Sequence, residues 1–102
     1  MIHVIATVEL AEGKVNDYLQ ELNKIIPDVR AEEGCLEYGP TMDLATDIPV
    51  QEPIRANVVT IMEKWSGVPA LMNHLKAKHM ADYRAATKGF VKNLSVRILQ
   101  AV

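Results

Sequence analysis

Two histidines behind a lone tryptophan hold most of the acid–base potential of this chain. They run in the order Trp65-Ser66, seven residues, His74, four residues, His79. An imidazole titrates near neutral pH, so a histidine is the natural base for taking a proton from a hydroxyl. Trp65 offers an aromatic ligand a flat face to stack on and an indole N–H, and would serve equally as a strand-end filler beneath the next helix. A second compact cluster lies upstream: Glu32-Glu33-Gly34-Cys35-Leu36-Glu37-Tyr38.

At about 100° per residue, positions 79, 83, 86 and 90 fall within about 40° of one line along a helix. His79, Tyr83, Ala86 and Phe90 would then share a face, with an imidazole and a phenol one turn apart. Such a face could bind and deprotonate a phenolic substrate; alternatively Tyr83 packs over a sheet and His79 meets solvent. His74 falls roughly 110° from the centre of the apolar stripe Val68, Leu71, Met72 and Leu75, on its margin. It reads as a half-exposed base or as a surface histidine. Glu63 shares a strand face with Trp65, and a buried lone carboxylate accepts a neighbour's hydrogen bond. Tyr38 and Met42 could line the same cavity or fill it. His74 and His79 are five residues apart, which puts their rings about 140° apart on a continuous helix, and no third ligand stands out. No metal site is expected. Cys35 has no basic or histidine neighbour in sequence to activate its thiol.

These residues need a scaffold. One hundred and two residues make one domain, 1–102. Hydrophobic content of 49% beside 24% charged residues hints at an oligomer. A net charge of −2 argues against nucleic-acid binding. One cysteine excludes an internal disulfide and suits a reducing cytoplasm, and no apolar run is long enough for a membrane span. The N-terminus lacks the marks of a secretion signal, so a cytoplasmic location is expected. No Gly-rich phosphate loop or flavin or nicotinamide fingerprint is present, and no cofactor is expected.

Residues 2–10 alternate, with Val4, Ala6, Val8 and Leu10 on one face of a strand. From Lys14 the period becomes helical through Val15, Tyr18, Leu19, Leu22, Ile25 and Ile26. Pro27 is expected to interrupt that helix and start a short second piece through Glu33, which Gly34 stops. Leu36 to Met42 reads as a strand with Leu36, Tyr38, Pro40 and Met42 on one side. Residues 43–56 are irregular, a length typical of lids and binding loops. Asn57 to Trp65 is a strand with Val59, Ile61, Glu63 and Trp65 on one face. Ser66 is placed to cap the next helix. Lys76-Ala77-Lys78 breaks it, a further helix runs from about His79 to Lys88, and Leu94 to Val102 is the last strand. Strand, helix, strand, strand, helix, strand implies an α+β fold: a four-stranded antiparallel sheet of ferredoxin-like βαββαβ topology. Its second face would carry Ile5, Val58, Met62 and Leu99, which a facing sheet would cover.

In order and spacing, the two clusters resemble the antibiotic biosynthesis monooxygenase family, closest to its bacterial quinol monooxygenase branch. The resemblance spans nearly the whole chain. It implies a homodimeric α+β barrel that oxidises a small aromatic, quinol-like substrate with oxygen and without a cofactor. His74 or His79 would take the phenolic proton, Tyr83 would hold an oxygen, Trp65 would stack on the ring, and loop 43–56 would cover the cavity. Tyr38, Met42, Glu63 and Phe90 would complete the substrate site. A haem-degrading relative uses an asparagine on the first strand, where this chain has Ala6 and Thr7. Another relative isomerises a phosphorylated quorum-sensing metabolite, for which Arg55, Lys64, Arg84 and Arg97 would supply cations. A third reading is a non-catalytic dimeric binder of hydrophobic aromatic ligands.

Overall fold

A computed structural model describes residues 1–102. Strand β1 is Ile2–Leu10, helix α1 Val15–Arg30, β2 Cys35–Thr41, β3 Val58–Trp65, α2 Val68–Lys76, α3 Lys78–Thr87 and β4 Val91–Leu99. The strands form one antiparallel sheet in the order β2-β3-β1-β4, the ferredoxin-like arrangement expected from the element sequence. Ile2, Val4, Ala6, Val8 and Leu10 are buried on one face of β1, as their alternation requires. They meet Val59, Ile61 and Trp65 of β3 and the α1 stripe Tyr18, Leu22, Ile25, Ile26 and Val29.

Helix α1 runs unbroken through Pro27 and ends at Arg30, not at a second piece reaching Glu33. Pro27 and Asn23 both lie on the exposed side, where water can satisfy the carbonyl that a proline N–H would have bonded. Gly34 does adopt a left-handed φ of +83°, in the turn after the helix. A Cβ there would lie 2.6 Å from both Ala70 Cβ and Ser66 Oγ, so only glycine lets this turn press against the start of α2. Ser66 does not cap α2. Its N–H donates to the Gly34 carbonyl at 2.8 Å, and Gly67 precedes the helix.

The register of β2 shifts between Cys35 and Glu37, which turns Leu36 outward while Tyr38 is buried opposite Glu63. Strand β4 starts three residues before the expected Leu94 and stops at Leu99, because β1 begins at Ile2 and offers no partner beyond. The break between α2 and α3 falls at Ala77, whose extended backbone redirects the chain. The helices cover β2, β3 and β1 but stop short of β4. Leu94, Val96 and Ile98 pair with Val8, Ala6 and Val4 on the helix side of the sheet, yet all three are exposed. On the opposite face Met62 and Leu99 are exposed, whereas Val58 is buried.

Residues 42–57 form the long connection between β2 and β3. Arg55 grips Asp43 through its guanidinium at 2.9 and 3.0 Å and its amide at 2.9 Å, holding that carboxyl down at about 2. The loop leaves the Thr41/Val58 end of the hairpin, whereas Trp65 ends β3 about 23 Å away. Its hydrogen bonds stay within the loop and at the adjoining strand ends.

Candidate active site

Glu63 and Trp65 lie two residues apart on β3 and so point to the same, helix-covered face. Trp65 Nε1 donates to Glu63 Oε1 at 2.9 Å. Burial pushes the Glu63 carboxyl up to about 7, against the lowering effect of the indole donor, and the negative charge of Glu32 adds to the rise. A carboxyl poised there exchanges protons near neutrality, as an imidazole would. Three phenols surround this region. Tyr18, Tyr38 and Tyr83 all have their ionisation suppressed, chiefly by burial, and each also feels the Glu63 charge. The hydroxyls of Tyr18, on α1, and Tyr83, on α3, are hydrogen-bonded at 2.5 Å, and their rings meet edge to face.

The histidines form a separate knot. His74 is the most buried residue of α2, whereas Val68, Met72 and Leu75 of the expected core stripe are exposed. The stripe rotates because the His74 ring packs against Trp65, with centroids 4.7 Å apart, and against Tyr38 at 5.6 Å. Its Nδ1 lies 2.8 Å from Glu32 Oε2, and His79 Nε2 lies 2.8 Å from the same oxygen. Burial draws the His74 pKa down, and the Glu32 carboxylate opposes it. The Gly34 turn sets Glu32 between the two helices. Glu32 opens the upstream cluster in the sequence, but nothing in its spacing assigns it to the histidines.

The structure thus gathers Tyr38, Glu63, Trp65, His74 and His79 at one end of the sheet, with Tyr83 on the adjoining α3 face. Trp65 is fully buried beside His74 and presents no face to a ligand. Met42 is exposed beyond the far end of β2. Phe90 lies past the end of α3 under the Lys14 ammonium, and its carbonyl accepts from Ala11 at the opposite end of β1 from Ile2 and Trp65. Neither joins the cluster. Tyr18 is buried in the α1 stripe, as its spacing in the sequence predicts, and its hydroxyl is in addition the polar partner of Tyr83.

Space for a ligand opens beside Tyr83. A groove of about 360 Å³ between α3 and β4 is lined by Val8, Tyr83, Thr87, Val91 and Leu94, with Arg84 and Lys88 also in its wall. That is ample for a one- or two-ring aromatic. Neither histidine lines it. A larger hollow of about 800 Å³ lies inside the 42–57 loop, bounded by Asp43, Leu44, Gln51, Glu52, Pro53 and Arg55. It has no histidine, tyrosine or tryptophan, and its arginine is committed to Asp43, so the groove is the better candidate.

The family model for antibiotic biosynthesis monooxygenase matches residues 1–86, and the chain belongs to that family. It is 36% identical to the probable quinol monooxygenase YgiN of Escherichia coli K12, over 98% of this chain and 97% of that one. The crystal structure of PA3566 from Pseudomonas aeruginosa superposes with a TM-score of 0.81 at 23% identity, covering 99% of this chain and 93% of the other. A solved antibiotic biosynthesis monooxygenase gives 0.81 at 20% identity, over 100% and 99% of the two chains. At those identities the two structures speak for the fold alone.

Proposed function

We propose that this chain is a cofactor-independent monooxygenase that oxidises quinol-like aromatic diols with molecular oxygen, working as a homodimer. Membership of the family and likeness to YgiN support the class of reaction. The observation that carries the site assignment is the hydrogen-bonded Tyr83–Tyr18 pair: Tyr83 lines an open, largely apolar groove, and both phenols feel the charge of the buried Glu63 carboxylate.

Oxygen takes electrons from closed-shell organic molecules slowly, and a phenolate gives one up far more readily than a phenol. The protein has to bind the diol, remove a proton and keep bulk water away. The ring lies against Val8, Val91 and Leu94, with one hydroxyl on Tyr83. The phenol pair passes the proton inward and Glu63 holds it; no direct hydrogen bond joins the pair to Glu63, so the last transfer runs through a bridging water. The indole of Trp65 keeps Glu63 basic near neutrality instead of higher still. Tyr38 packs against His74, which steadies Trp65. In full monooxygenation, hydroquinone and oxygen give a hydroxyquinone and water, the diol supplying all four electrons. In plain two-electron oxidation they give a quinone and hydrogen peroxide. Glu63 serves as the base because burial raises its carboxyl to about 7, whereas both imidazoles are engaged by Glu32.

The exposed row Leu94, Val96 and Ile98, with Val68, Met72 and Leu75 on α2, supplies apolar surface for a second copy. Oxygen uptake with a panel of monocyclic and bicyclic hydroquinones tests the activity, with a peroxide assay to separate the two stoichiometries. Turnover above the uncatalysed rate is expected; tight binding of the diols with no uptake would show a binding protein instead. Arg84 and Lys88 favour a second reading, isomerisation of a phosphorylated hydroxyketone, because both are placed to meet an anionic group at the groove. Conversion of such a compound with no quinol oxidation would decide for it.

A further inference from the structure

We infer that Glu32, His74 and His79 form a binding site for a divalent transition-metal cation of the zinc type, separate from the groove that takes the aromatic ligand. The three side chains come from the α1–β2 turn, α2 and α3, and their ligand atoms all lie within 4.8 Å of one another. Two imidazole nitrogens, His74 Nδ1 and His79 Nε2, converge from different helices on one carboxylate oxygen, each at 2.8 Å. A tetrahedral ion with bonds of about 2.0–2.2 Å spaces its ligand atoms by about 3.4 Å. Each of the two nitrogen–oxygen separations would have to grow by only about half an ångström, a movement that side-chain rotation of Glu32 or His79 supplies, and the two nitrogens already lie within 4.8 Å of each other. Spacing in the sequence argues against a metal because it treats the histidines as points on one helix; the extended Ala77 breaks that helix and the Gly34 turn brings in the third ligand.

The donor set selects the ion. Two imidazoles and one carboxylate suit zinc, cobalt or ferrous iron, whereas calcium and magnesium require shells of oxygen. His74 is held in place by Trp65 and Tyr38 and is 2% exposed, so one ligand is oriented before the ion arrives. The His79 side chain is 23% exposed and that of Glu32 14%, so the cluster opens to solvent on their side. An ion enters there, and water completes its coordination. Bound, it would tie α2 and α3 to the α1–β2 turn.

The test is titration of chelator-treated protein with Zn²⁺ followed by calorimetry, and with Co²⁺ followed by visible absorption. One ion per chain is expected, with the intense d–d bands of tetrahedral cobalt and X-ray absorption showing two imidazole ligands. His79→Ala and Glu32→Gln should each weaken binding at least tenfold, while His3→Ala, on the other face of the sheet, should leave it intact. Failure of the unaltered protein to bind either ion overturns the assignment. So does binding with fewer than two imidazoles, or binding that survives both substitutions in folded protein. These readouts do not depend on turnover, so they stand or fall apart from the quinol reading.

Discussion

Glu63 carries the sharpest consequences. Its carboxyl sits at about 7 in the folded chain against an ordinary 4.5, so the folded state binds a proton more tightly than the unfolded one. Stability contributed by the protonated form is whole below pH 4.5 and falls as the pH rises towards 7, by up to about 3 kcal/mol over that window. Chemical denaturation between those limits should show this decline, and Glu63→Gln should flatten it. The same titration gives kcat a limb that rises with pH through about 7 as the base is freed. Glu63→Gln should remove the limb and lower kcat by about 10²-fold or more. The Trp65 N–H stabilises the carboxylate, so Trp65→Phe should move the limb to higher pH, which a pH–rate profile reads directly. Tyr83→Phe takes away the hydroxyl that bonds Tyr18 beside the groove and should cut kcat/KM about tenfold or more. Steady-state kinetics on the hydroquinone that turns over best checks that figure.

Among the elements, the turn from α1 into β2 carries the most structural weight for its length. Gly34 accepts the Ser66 N–H, passes within a side chain's reach of Ala70, and sets Glu32 between His74 and His79. Gly34→Ala meets both a left-handed backbone and an overlap with Ser66 and Ala70. A loss of roughly 2–4 kcal/mol is expected by thermal or urea unfolding. By contrast Gly89 has no positive φ and open space around it, and Gly89→Ala should stay within about 1 kcal/mol of the original. The two sites look alike as letters in a sequence. Their difference lies in what the chain folds against.

For the molecule as a whole, the distribution of exposed apolar residues sets the question of assembly. No helix is long and apolar enough to cross a membrane. The bare row Leu94, Val96 and Ile98 lies on the helix side of β4, beyond the edge of the helices, and not on the open face where Ile5 and Leu99 directed attention in the sequence. A second copy covering that row would also close the groove along its Leu94 wall. Val96→Lys should therefore shift a dimer towards monomer in sedimentation velocity, and lower quinol turnover with it.

The order of elements and the faces of β1, β3 and α1 could be read from periodicity, and the family from the resemblance that the two clusters bear to it. Those depend on local geometry: side chains alternate on a strand and recur every turn on a helix, whatever lies elsewhere. Pro27 misled because a proline's cost depends on whether the released carbonyl meets water, which only a placed helix settles. Ser66, Met42 and Phe90 misled for a related reason, since a cap or a cavity wall is defined by neighbours distant in the chain. The pairing of Tyr18 with Tyr83 joins residues 65 positions apart, and that of Glu32 with His79 spans 47. No local pattern encodes such contacts. They arise when the crossing of α1 and α3 and the tightness of the Gly34 turn bring the side chains within reach.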